Sequence, residues 1–116
     1  MTFERYTVVR VPFPSTDREA MKNRPALILS DAVLFNDAAG HSVMTMITSA
    51  RQSAWPLDCA INDMAAAGLP SPSALRFKLL TLDHRLVRGG LGRLSQEDEW
   101  NARSALARLF GSATQA

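Results

Sequence analysis

Apolar and polar positions in this chain follow the two-residue period of strands over most of its length and the helical period only once, near the C-terminus. The first apolar run, Thr7-Val8-Val9-Arg10-Val11-Pro12-Phe13-Pro14, is rich in β-branched residues and closes on prolines. It predicts a strand that ends where proline has no N–H to give a ladder. Ser15 to Arg24 is polar and predicts a loop, and Ala26-Leu27-Ile28-Leu29-Ser30 is a short continuous apolar run, the mark of a buried strand. A second loop, Asp31 to His41, holds the turn formers Asn36-Asp37 and Gly40. Ser42 to Thr48 alternates and predicts a third strand, with Trp55 to Ile61 a weaker fourth.

Asn62 to Gly68 predicts one helical turn stopped by its glycine, and Pro70-Ser71-Pro72-Ser73 predicts a loop. Ala74 to Leu82 and the glycine-loosened Gly89 to Leu94 complete the strands. The clearest helix begins at Ser95, a good N-cap, with Glu97, Asp98 and Glu99 in the first turn, where the helix dipole favours acids. Ala102, Ala105, Leu106, Leu109 and Phe110 follow at helical spacing as its buried face, and Gly111 stops it. Several short strands between turns and one terminal helix predict a mainly β, α+β fold: a small, strongly curved barrel or sandwich. At 116 residues the chain is expected to form one domain, 1–116.

Composition narrows the classes. Ordinary globular usage, 47% hydrophobic and 21% charged, argues against disorder. The single Cys59 excludes an internal disulfide framework and any multi-cysteine zinc site, and with the isolated His41 and His84 it makes no metal cluster. On a strand, Cys59 reads as a small buried hydrophobe. No apolar run approaches the roughly 20 residues that cross a bilayer, and the N-terminal MTFERYTVV lacks a secretory pattern, so the expected location is cytoplasmic.

The net charge of +2 is small, but eleven of the thirteen cations are arginine, which pairs bidentately with phosphate. They are also unevenly spread. Arg76, Lys78, Arg85, Arg88 and Arg93 face only Asp83 between positions 76 and 93, a net +4 that fits phosphate contact. Arg76 and Lys78 alternate with Leu75, Phe77 and Leu79, so both are expected on one face of their strand. Arg76 and Lys78 read equally well as a solvated cationic face. Arg24 stands at a strand entrance, where a guanidinium is either positioned or merely solvated. Thr48 and Ser49 end a strand, where hydroxyls bind phosphate or simply lead into a loop. Trp55 and Phe13 can stack on splayed bases or fill a core.

The order of these pieces resembles the MazF/PemK family of toxin endoribonucleases over nearly the whole chain. VVRVPFPSTD is similar to the family's opening strand and loop, with Tyr6-Thr7 and Ser15 standing where Gly-Asp and a second aromatic are usual. KNRPALILSD (Lys22 to Asp31), MITSA (Met46 to Ala50), AGLPSPSALRFKLLTLD (Ala67 to Asp83) and LGRLSQED (Leu91 to Asp98) follow in the family's order. The resemblance implies an SH3-like small β-barrel with a C-terminal helix, usually a homodimer. It implies cleavage of single-stranded mRNA without metal or cofactor, and a cognate antitoxin covering the RNA groove. In such a reaction the substrate's 2′-hydroxyl attacks the adjacent phosphate, which DNA cannot do.

Carried over by motif, Arg24 would stabilise the phosphorane, Thr48 would hold the scissile phosphate, and Arg76 would lie in the active site. Lys78 departs from an aspartate found in some relatives. Asp17 and Glu19 are candidates to act as base or to orient Arg24, and Glu19 is grouped with the catalytic residues. Asn23, Ser49, Lys78, Asp17, Arg85 and Arg88 are expected RNA contacts. The alternative is a non-nuclease binding module on the same barrel, either a gyrase-binding toxin of the CcdB type or a catalytically degenerate relative. Met44, Met46 and the apolar helix face are offered as dimer surface.

Overall fold

Backbone pairing between the first two strands reaches further than the apolar pattern does. In the computed structural model, which describes residues 2–14, 21–51 and 54–111, β1 (Thr7–Pro14) runs antiparallel to β2 (Met21–Ile28). Val8 faces Leu27, Val11 faces Arg24, and Pro14 faces Met21. β2 thus starts five residues before the apolar run at Ala26, and Arg24 lies inside a strand rather than in the loop before it. A ladder is fixed by the neighbouring backbone, so it extends through polar side chains where the partner continues.

β2 pairs with β3 (His41–Ser49), β3 with β5 (Ser73–Asp83), and the two-residue β4 (Cys59–Ala60) lies at the edge of β5. β6 (Gly89–Arg93) pairs with β1, so the antiparallel order is β4-β5-β3-β2-β1-β6. The sheet curls into an SH3-like half-barrel. One device of its curvature is a bulge in β5: Thr45 faces Leu79, yet the next residue, Met46, faces Arg76, leaving Phe77 and Lys78 as extra residues. The Thr45 hydroxyl, wholly buried, donates to the Arg76 carbonyl at 2.6 Å and holds the bulge.

The continuous apolar runs have a structural cause, since both faces of the sheet are covered. On one face Val8, Leu27, Ile47 and Leu75 pack with Ala67, Ala102 and Leu106 of two helices, α2 (Met64–Ala67) and α3 (Gln96–Leu109). On the other, Val9, Val11, Phe13, Ala26, Ile28, Met44 and Leu82 form a second core. Full burial of a side chain such as Leu27 or Ile28 contributes about 1.5–3 kcal/mol. Met44 is wholly buried and offers no dimer surface, whereas Met46 packs against the same core and stays partly exposed.

The Ser95 side chain caps α3 by accepting from the Asp98 N–H, with Glu97, Asp98 and Glu99 in the first turn. Asp98 is nearly buried, and its carboxylate accepts from the N–H groups of Asn62 at 3.0 Å and Asp63 at 2.9 Å, joining the entry of α2 to the start of α3. Gly68, at φ +72°, ends α2 against β6, and a Cβ there would stand 1.9 Å from the Leu91 carbonyl oxygen. Leu109 and Phe110 are 37% and 73% exposed, since the face of α3 that packs on the core stops at Leu106.

Two further segments differ from the pattern. Within the Asp31 to His41 loop, a π-helical turn (Ala32–Asn36) runs into the short α1 (Asp37–Ala39), capped by Asp31 and closed at Gly40. Buried Asn36 anchors it by donating to the carbonyls of Phe3 and Ser30. Where a fourth strand is predicted from Trp55, Pro56 and Leu57 form a turn, with Leu57 at φ +63°, and only Cys59–Ala60 pair. No helix among the described residues is long and apolar enough to cross a membrane.

Candidate active site

Register brings Arg24 and Thr48 together. The β2–β3 ladder ends with Ala26 facing Met46, and Arg24 and Thr48 each stand two residues beyond that pair, at positions of the same strand parity. Both line a cavity of about 270 Å³ at the end of the sheet, with Pro25, Ile47, Ser49, Leu69, Pro70, Ser71 and Ser73 completing its walls. Thr48 and Ser73 are each 8% exposed. The loop after α2 is fixed against β3, because Ser73 faces Ser49 and the Ala50 N–H donates to the Pro72 carbonyl at 3.0 Å.

The Arg24 Nε is buried and makes no hydrogen bond. Leaving such a donor unsatisfied costs about 1–3 kcal/mol, a cost that an incoming acceptor removes. A guanidinium and several hydroxyls around an apolar floor have the chemistry to accept a phosphate-like anion.

Arg76 faces Met46, a diagonal neighbour of Thr48 on the same face. It is 7% exposed and forks onto Asp58, with Nη2–Oδ2 at 2.8 Å and Nε–Oδ1 at 3.3 Å. Those hydrogen bonds raise its pKa, so the guanidinium stays charged. The Lys78 Nζ lies 4.7 Å and the Arg76 Cζ 5.7 Å from the centre of the Trp55 ring. The two cations expected on one face do converge, and on an indole that stays 41% exposed. Phe13 is buried in the second core and offers no stacking surface. Asn23 is exposed one residue before Arg24, facing Pro12, and Ser49 is exposed at the cavity rim.

The run of cations from Arg76 to Arg93 does not form one patch. Arg85 and Arg88 lie beyond the far end of β5, roughly 20 Å or more from Arg76 at ~3.3 Å per residue. Arg85 grips Asp83, with Nη2–Oδ2 at 2.7 Å, and holds that carboxyl well below the usual carboxylate range. Arg93 is shared between Glu4 at 3.2 Å and Glu99 at 3.9 Å. Arg88 is exposed, and its backbone N–H donates to the Arg10 carbonyl. Asp17 and Glu19 lie outside the described residues.

The histidines also stand at that far end. The Ser42 hydroxyl and His84 Nε2 are 2.7 Å apart, His84 stacks on Phe3 with ring centres 3.6 Å apart, and His41 Nε2 is 3.9 Å from Asp83. Half-buried Cys59 packs against the first core, and burial pushes its thiol pKa up. Among the described residues no three of His, Cys, Asp and Glu gather as a metal site.

Sequence reasoning missed Asp58, which is 18 residues from Arg76 with no local signal joining them. It also missed Ser71 and Ser73, whose Pro-Ser-Pro-Ser context reads only as loop.

The architecture has close structural counterparts. MazF of Deinococcus radiodurans superposes with a TM-score of 0.71 at 26% identity, covering 93% of this chain and 96% of that one. A MazE–MazF complex from the same organism gives 0.75 at 23% identity, covering 97% and 100%. An endoribonuclease from mycobacterial species, solved with its cognate antitoxin, gives 0.69 at 18% identity, covering 93% and 92%. No curated protein matches the chain. A family model for PemK-like, MazF-like toxins of type II toxin–antitoxin systems matches residues 4–110. The chain therefore belongs to the PemK/MazF family of toxins.

Proposed function

We propose that this toxin is a metal-independent endoribonuclease that cuts single-stranded mRNA and is neutralised by a cognate antitoxin. The observation that carries this reading is the unsatisfied, buried Nε of Arg24 in a hydroxyl-lined cavity shared with Thr48. A phosphodiester seated there meets a fixed cation, and its extra negative charge in the phosphorane is what such a donor stabilises most. Attack by the 2′-oxygen forms the new P–O bond and the P–O5′ bond breaks. The 2′-hydroxyl proton leaves to a base, and the departing 5′-oxygen takes one up. Products are a 2′,3′-cyclic phosphate and a 5′-hydroxyl. Asp58 acts as a positioning residue that aims Arg76 toward the same face.

Family membership and the antitoxin complexes of structural neighbours support an antitoxin partner for this chain as well, and a homodimer is part of the same reading. Exposed apolar side chains available to such partners include Leu109 and Phe110 at the end of α3 and Val33 and Leu34 in the turn before β3.

Arg24→Ala tests the mechanism. Cleavage should fall by roughly a hundredfold or more, and Arg24→Lys should rescue poorly, because an ammonium lacks the planar fork. A single 2′-deoxy nucleotide on the 5′ side of a cut should block that cut alone. Near-normal cleavage by Arg24→Ala, or cutting of the deoxy substrate there, overturns the mechanism. RNA left intact by the unaltered protein favours the binding-module reading.

A further inference from the structure

A second cavity, of about 260 Å³, adjoins the first and shares Ser49 and Ser71 with it; Arg51 and Pro72 complete its walls among the described residues. We propose that it is a second phosphate subsite, which takes a phosphodiester next to the scissile one on single-stranded RNA, with Arg51 as the counter-cation. This inference rests on the RNA-cleaving reading, and it extends the site from one phosphate to a length of backbone.

Three observations carry it. The cavities are contiguous, so a chain whose phosphate sits against Arg24 and Thr48 continues past Ser49 and Ser71 into the space beside Arg51. The backbone that presents Arg51 is tied down: its N–H donates to Ser49 Oγ at 3.2 Å, and the N–H of Ala50 donates to the Pro72 carbonyl at 3.0 Å. Arg51 is also exposed and forms no ion pair with a described carboxylate, whereas Arg76, Arg85 and Arg93 are each held by one. A guanidinium carried on a tied-down backbone beside two serines, with no acid among the described residues to satisfy it, suits a phosphodiester by charge and by hydrogen-bonding geometry.

The test separates binding from catalysis. Affinity is measured by fluorescence anisotropy on mixed-sequence single-stranded RNA made uncleavable by 2′-O-methylation. Arg51→Ala should weaken binding about tenfold, as expected for loss of one charge-assisted contact. The salt slope should also fall by about 0.7. Its circular-dichroism spectrum should not change, because the side chain is exposed, and Arg51→Lys should recover part of the loss. On cleavable RNA, KM should rise by a similar factor while kcat stays within about threefold. Methylphosphonates placed singly around a mapped cut should include one neighbouring position that weakens the unaltered protein but not Arg51→Ala.

Unchanged affinity and salt slope in Arg51→Ala overturn the subsite, as does a methylphosphonate profile identical in both proteins. Loss of antitoxin binding with RNA binding intact would assign the cavity to a protein contact and overturn it too. Failure of the cleavage chemistry shows instead as normal, Arg51-dependent RNA binding without cutting.

Discussion

Asp58→Ala is the perturbation whose size follows most directly from the geometry. The Arg76 side chain is 9% exposed and forks onto an Asp58 carboxylate that is 24% exposed. Removing one partner of a fully buried ion pair costs about 3–5 kcal/mol, because the other charge stays desolvated. Water reaching the open side of Asp58 screens part of this, so the expected loss is about 2 kcal/mol. For a domain of this size that lowers Tm by about 8 °C. Urea denaturation at pH 7 measures the loss, with m unchanged if the folded state stays compact. In a double-mutant cycle with Arg76→Met, the two losses should fall short of additivity by about 1–2 kcal/mol, since each substitution breaks the same pair. Activity should fall more than stability explains, with reduced kcat in protein still fully folded at the assay temperature. A loss under about 0.5 kcal/mol, or additive losses in the cycle, would show that the pair neither stabilises the fold nor positions Arg76.

Asp98→Ala removes the acceptor for the N–H groups of Asn62 and Asp63 and should cost about 2–4 kcal/mol, read by thermal unfolding; Asp98→Asn should recover part of it. His84 should titrate below its ordinary 6.5 by NMR, because burial disfavours the imidazolium and the nearby His41 adds to this, with Asp83 and Asp37 opposing. Above pH 6.5 folded and unfolded chains both carry this ring neutral. Its contribution is therefore fully present there and is lost as pH falls through the depressed folded value. His84→Phe should flatten that part of the stability profile.

The strands were readable because apolar residues declare themselves by spacing: β1, β3, β5 and α3 match their patterns within a residue or so at each end. What escaped was decided by partners distant in sequence. Arg24 reads as a loop residue because a polar side chain gives no hint that β1 continues opposite it. Met44 reads as available surface, and Phe13 as open to either stacking or core, because the pattern does not reveal that the sheet is covered on both faces. The cationic run between 76 and 93 looked like one patch because sequence separation hides both the length of β5 and the carboxylates that hold Arg76, Arg85 and Arg93. That Arg24 and Thr48 belong to one site is implied by the family resemblance and not by their own spacing, whereas Asp58, Ser71 and Ser73 join the site only through the β3–β5 register and the turns beside it.

The claim that the cavity between Arg24 and Thr48 turns RNA over by 2′-hydroxyl attack is tested most directly by the chemical ends it leaves. Purified protein and long single-stranded RNA are incubated in excess chelator, and the fragments are treated with polynucleotide kinase with and without prior phosphatase. The account predicts discrete fragments whose 5′ ends accept phosphate without phosphatase and whose 3′ ends carry a 2′,3′-cyclic phosphate. Fragments with 5′-phosphates, or RNA that is cut only when a divalent metal is restored, would contradict it.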